Sequence, residues 1–120
     1  MRVMIHEEKK VAKIVEELTI FFFSIGADKM SSGIERTGNE VKITFGSNYL
    51  PEFEHSIYTL EKYLNEPKNE AIEDIYWELA GSGDPGESTQ LLLIGMMVDR
   101  YKIEKYENEV KLHLYKELML

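Results

Sequence analysis

The stretch GSGDPGEST holds the residues of this 120-residue chain that most directly invite chemistry, with Gly81, Gly83 and Gly86 just ahead of an apolar run. Glycines so placed can turn backbone N–H groups toward a phosphate at a helix start, where the dipole also favours an anion. The loop holds no Lys or Arg, and Asp84, Pro85 and Glu87 supply an N-cap, a first helical residue and a capping carboxylate. Those carboxylates would occupy the N–H groups a phosphate needs and repel the anion itself, so the capping reading is preferred. Other reactive side chains are dispersed: His6, His55 and His113 fall on three separate elements without the paired spacing of a zinc site. Ser56 and Thr59 have no His and Asp arrangement readable beside them.

The elements that must position these groups follow from hydrophobic periods. Between Glu7 and Ile25, the residues Val11, Ile14, Val15, Leu18, Phe21, Phe22 and Ile25 recur at the three-and-four spacing of an amphipathic helix, which Gly26 can cap. Phe21, Phe22 and Phe23 occupy adjacent helix positions, so at least one ring is expected to leave the core face. Met30, Ser32 and Ile34, then Val41, Ile43 and Phe45 across the turn RTGNE, predict a hairpin with one buried face. Pro51 permits a helix start, with Phe53, Ile57, Leu60 and Leu64 as its stripe. Ile72, Ile75, Tyr76 and Leu79 predict a further helix. A third, from about Pro85 or Ser88 to Arg100, is apolar nearly all round at LLLIGMMV. Tyr101 and Ile103, the turn ENE, then Val110, Leu112 and Leu114 predict a closing hairpin. The order αββαααββ with one-sided strands predicts an α+β two-layer sandwich, its helices packed on one face of a mixed four-stranded sheet.

Composition bounds the rest. The length fits a single domain over residues 1–120, and contents of 43% hydrophobic and 30% charged residues are those of a soluble globular protein. No stretch approaches the roughly 18 consecutive apolar residues of a membrane span. The absence of cysteine excludes thiolate metal sites, and MRVMIHEEKK turns charged before any export signal forms, so a cytoplasmic location is expected. The formal net charge is −8, and Asn65 to Gln90 carries seven acids against one lysine, Lys68. Neither nucleic acid nor an anionic membrane is expected as a partner, because both are held by Lys and Arg.

The segment ELTIFFFSIGADKM, followed by a hairpin ending VKITFGSNY, resembles the histidine-kinase-like ATPase fold of DNA gyrases, mismatch-repair MutL proteins and sensor histidine kinases. The helix motif of that family, close to ELVxNSxDAGAxxI, is matched at Glu17, Leu18, Gly26, Ala27 and the apolar Met30. The order of elements is also similar: hairpin, lid region, glycine-rich loop, buried helix, closing hairpin. By this resemblance Phe21 stands where the magnesium-ligating Asn would be, and an aromatic ring cannot ligate a hard cation. The motif's Asp falls on Ser24, while Glu17 occupies the place of the water-activating base. Without the metal, Glu17 is read as a surface or capping carboxylate. The family's adenine-reading Asp-x-Gly falls on Ser47, Asn48 and Tyr49, and its GxGLGL pattern is reduced to Gly95 in LLLIGMM.

The resemblance therefore implies an inherited frame with bulky Phe21, Tyr49 and Met96 filling the old cleft, and a non-catalytic regulatory or protein-interaction role. No cofactor is expected in that case, and the partner is another protein or a second copy. The alternative is a divergent ATP-binding protein or kinase, using ATP with magnesium, that retains Glu17, Ser47, Asn48 and the glycines Gly81, Gly83 and Gly86. A third expectation is a small-molecule sensor using the mostly apolar cleft of Phe21, Tyr49 and Met96.

Overall fold

The structure is a computed structural model that describes residues 6–65, 91 and 94–118. Helix α1 spans His6–Ser24, strand β1 Met30–Thr37 and strand β2 Glu40–Asn48. A 3-10 turn over Pro51–Phe53 leads into helix α2, Glu54–Leu64, and the closing hairpin pairs β3, Arg100–Tyr106, with β4, Glu109–Glu117. The expected helix around Ile72–Leu79 and the glycine-rich loop lie outside the described residues. Helical residues 94–97 are the end of the expected third helix, which stops short of Arg100 because that residue already opens β3.

The sheet order is β1-β2-β4-β3. Every ladder is antiparallel, which corrects the expectation of a mixed sheet. Two hairpins meet side by side, and β2 and β4 run in opposite directions as the inner strands. Alternation assigns side chains to faces but carries no strand direction, so the sequence could not show this.

On the helix-facing side, Val41, Ile43 and Phe45 of β2 stand opposite Lys116, Leu114 and Leu112 of β4. Helix α1 lies over β2 and contributes Ile14, Leu18, Phe21 and Phe22 to the core they share with Ile57, Leu60 and Ile94. Phe22 stacks on Phe45 with ring centroids 5.5 Å apart and meets Phe21 edge-on at 5.1 Å. Burying an aliphatic or aromatic side chain of this size contributes about 1.5–3 kcal/mol. The expected outward ring is Phe23, which is 62% exposed.

Strand β1 departs from expectation. Ile34 pairs with the buried Ile43 and so shares the inner face, yet it is 54% exposed. The strand is at the sheet edge and α1 covers its neighbour instead, leaving the alternation without a lid. Two glycines fix the helix connections. Gly26 takes a φ of +88° just beyond the end of α1, as a left-handed cap requires, and Leu50 packs over it. Gly95 lets residues 94–97 touch α2, since a Cβ there would stand 2.0 Å from the Tyr63 carbonyl oxygen.

Candidate functional site

The exit of α1 and the end of β2 come together, so most of the candidate nucleotide residues share one region. Phe21 is buried in the core cluster together with Tyr49. The Ser24 hydroxyl donates to the Phe21 carbonyl at 2.5 Å, a local bond across one helical turn. Ser47, inward-facing on β2, donates its hydroxyl to the Asn48 carbonyl at 2.8 Å. Met96 is partly buried on the last helical segment, while Gly81, Gly83 and Gly86 lie outside the described residues.

Asn48 organises the helix-to-strand loop. Its Oδ1 accepts from the backbone N–H groups of Asp28 at 3.0 Å and Lys29 at 3.2 Å, and its Nδ2 donates to Asp28 Oδ1 at 2.6 Å. The side chain thereby does for the loop what an N-terminal cap does for a helix, satisfying backbone donors that no strand reaches. Its neighbour Tyr49 is buried, with its hydroxyl between Glu54 Oε2 at 2.8 Å and the Glu107 carbonyl at 3.1 Å. Lys105 forms an ion pair with the same Glu54. Burial pushes the Tyr49 phenol above its ordinary pKa, and the Glu54 carboxylate adds to that against the opposing pull of Lys105. Hydrogen bonding from Lys105, then from Tyr49, holds Glu54 below the usual carboxylate range.

Glu17 is not the surface or capping carboxylate expected. It is 2% exposed, and its Oε1 pairs with Lys13 at 2.9 Å across one turn of α1. Oε2 has no hydrogen-bond partner among the described residues. Burial alone would lower the Lys13 pKa, but the carboxylates of Glu17 and Glu16 outweigh it and hold the ammonium above its ordinary value. Helical periodicity contained the reason: Glu17 lies beside Leu18, Phe21 and Ile14 on the wheel, at the margin of the apolar stripe. A second buried ionic cluster closes the other end of the core, where Lys116 donates to the Met97 carbonyl at 3.1 Å and Glu7 pairs with Lys10 at 2.7 Å.

Among the described residues, no helix packs against the sheet's other face. Lys42, Thr44, Gly46 and Asn48 of β2 alternate away from the core and stand beside Tyr115, His113, Lys111 and Glu109 of β4. The guanidinium of Arg100 lies 4.4 Å from the centre of the Tyr115 ring, and the Lys42 ammonium 5.9 Å from it. His113 Nε2 meets Glu104 Oε1 at 2.6 Å. Beyond that pair a trough of about 540 Å³ opens over Gly46, bordered by Lys29, Ser31, Thr44, Lys111 and Tyr106. None of these residues was singled out from the sequence, although a glycine inside the alternating strand VKITFGSN was a signal available there.

No protein-family model, curated protein or solved structure matches this chain. Its site must accordingly be understood from its own chemistry. Among the described residues no cluster of three His, Asp or Glu side chains is placed to hold a metal ion. No described helix is long and apolar enough to cross a membrane.

Proposed function

We propose that this protein is a non-catalytic regulatory or protein-interaction module, built on a histidine-kinase-like ATPase scaffold whose nucleotide site has decayed. The observation that carries this reading is the internal use of the groups a nucleotide would need. The Asn48 amide is spent on the loop at Asp28 and Lys29, the Ser24 and Ser47 hydroxyls on the Phe21 and Asn48 carbonyls, and the Tyr49 hydroxyl on Glu54 and Glu107. Phe21, at the position the resemblance gives to a metal ligand, belongs to the core. Freeing Asn48 would give up its bonds to Asp28 and Lys29, each with a net contribution of about 0.5–1.5 kcal/mol, before any ligand bound.

A contact surface is supported by the exposed apolar residues Ile20 and Phe23 on the outward side of α1 and by Leu50, packed over Gly26 one turn beyond Phe23. Exposed apolar residues that gather in one place are the ordinary mark of protein contact. Two measurements test the reading together. Calorimetry with magnesium and ATP should give no binding heat, and sedimentation or pull-down from the source cells should show self-association or a partner that Phe23→Asp releases. Micromolar ATP binding abolished by Asn48→Ala would overturn the reading.

A second reading, a divergent ATP-binding protein or kinase, is supported by Glu17, whose buried Oε2 lacks a partner among the described residues. That reading requires ATP turnover that Glu17→Gln eliminates while leaving the fold intact. Absence of both ATP binding and turnover in the unaltered protein excludes it.

A further inference from the structure

We propose that the trough over Gly46, on the sheet face turned away from the helices, binds a small organic carboxylate. The inference starts from a glycine in a costly place. Gly46 lies inside the central strand β2, where glycine is less stable than a residue with a side chain by roughly 0.5–1 kcal/mol. A strand glycine is usually explained by a bulge, by a bend, or by the close approach of a ligand or another backbone. Here the ladder to β1 runs unbroken from Met30↔Ser47 to Thr37↔Glu40, and the ladder to β4 from Glu40↔Glu117 to Asn48↔Glu109. No bulge is present, and Gly46 is not among the positive-φ glycines. A Cβ at Gly46 would point into the trough, meeting only the Ser31 hydroxyl at 3.2 Å.

The walls define the chemistry. Ser31, Gly46, Lys111 and Glu104 form one row across the four strands, so Ser31 and Lys111 flank the glycine on either side. Neighbouring strands are spaced about 4.8 Å apart, which leaves a gap the width of a carboxylate between the two side chains. Lys29 borders the same opening from the β1 end. Among the described residues, the ammonium groups of Lys29 and Lys111 form no ion pair, and the Ser31 and Thr44 hydroxyls form no hydrogen bond. Those are free donors for an anion. Tyr106, 76% exposed at the far rim, offers a ring against which the body of the ligand can lie.

The same walls argue against phosphate. Ladder pairing consumes the backbone N–H groups of both inner strands, so the trough has no nest of amides, and none of its lining residues is an arginine. Glu104 and Glu109 stand at the rim and penalise a multiply charged anion more than a singly charged one. Glu104 is bonded to His113 and stands across the ladder from Lys111, so Lys29 and Lys111 are the cations beside the floor and Glu104 limits the charge they can accept. Ser47 borders the trough, but the proposed contacts use Ser31, Gly46, Lys29 and Lys111, none of which the nucleotide reading uses, so the two are tested by different substitutions.

The test is amide chemical-shift mapping of the full chain titrated with benzoate, acetate and inorganic phosphate. Benzoate should give saturable shifts centred on Ser31, Gly46 and Lys111, with acetate weaker and phosphate weakest. Lys111→Ala should raise the benzoate Kd at least fivefold, and Gly46→Val should abolish binding while the melting temperature holds or rises. If Gly46→Val fails to fold, Lys111→Ala still decides the matter. Shifts scattered over the surface, an unchanged Kd in Lys111→Ala, or phosphate binding as tightly as benzoate would each overturn the proposal.

Discussion

On the helix-covered face of the sheet, Ile43, Phe45, Leu112 and Leu114 are sealed from solvent, whereas one residue away along the same strands Thr44, Gly46, Lys111 and His113 line an open surface. Backbone, register and twist are common to both faces. What differs is that α1 and the last helical segment cover only one of them, so apolar alternation became core on that side and a charged, hydroxyl-bearing floor on the other. The lesson is that covering, more than residue pattern, separates a structural face from one free to bind. Ile34 makes the same point from the other direction: it faces inward yet remains 54% exposed, because among the described residues α1 packs over β2 rather than over β1.

The contrast is broken most severely from the inside. Phe45→Ala removes a ring stacked on Phe22 and should cost about 3–5 kcal/mol of unfolding free energy in urea titration, while Thr44→Ala, its neighbour on the open face, should stay within about 0.5 kcal/mol. Similar losses for the two would mean that the faces are not distinct in solution. Gly95→Ala should cost about 3 kcal/mol, because the added methyl meets the Tyr63 backbone, which cannot step aside as a side chain can. A loss below about 1 kcal/mol would show that this approach of helix to helix is looser than the structure describes.

Asn48, partly buried at the end of β2, tests the structural role assigned to its amide. Asn48→Ala should lower stability by about 1–2 kcal/mol and speed hydrogen exchange at Asp28 and Lys29. Unchanged exchange would leave the amide free for a ligand after all. The smallest effect belongs to the open face. Hydrogen bonding from His113 holds the Glu104 carboxyl below the usual glutamate range, with Lys102 and Lys111 adding to it. Because that pKa is depressed in the folded state, its stabilisation is fully present above the ordinary glutamate value of about 4.3 and is lost as pH falls through the folded-state value. The stability difference between the unaltered protein and Glu104→Gln should therefore hold above about pH 4.3 and shrink as the pH falls below it. A difference that stayed constant on acidification would assign the pair no role.

Much of this architecture was written in local patterns. The three-and-four spacing from Val11 to Ile25 marked α1, Gly26 its end, Pro51 the entry to α2, and the alternations around RTGNE and ENE the two hairpins. These are readable because helix and strand periods are properties of consecutive residues, and turn residues act within a few positions of themselves. Antiparallel pairing of β2 with β4, the exposure of Ile34 and the loop-holding role of Asn48 were not readable in the same way. Each depends on which element lies over or beside another, and such neighbours are far apart along the chain. Gly46 and Lys111 border one trough only because the second hairpin docks against the first. No period in the amino-acid order encodes that docking; it follows from burying both apolar strand faces under the same helices.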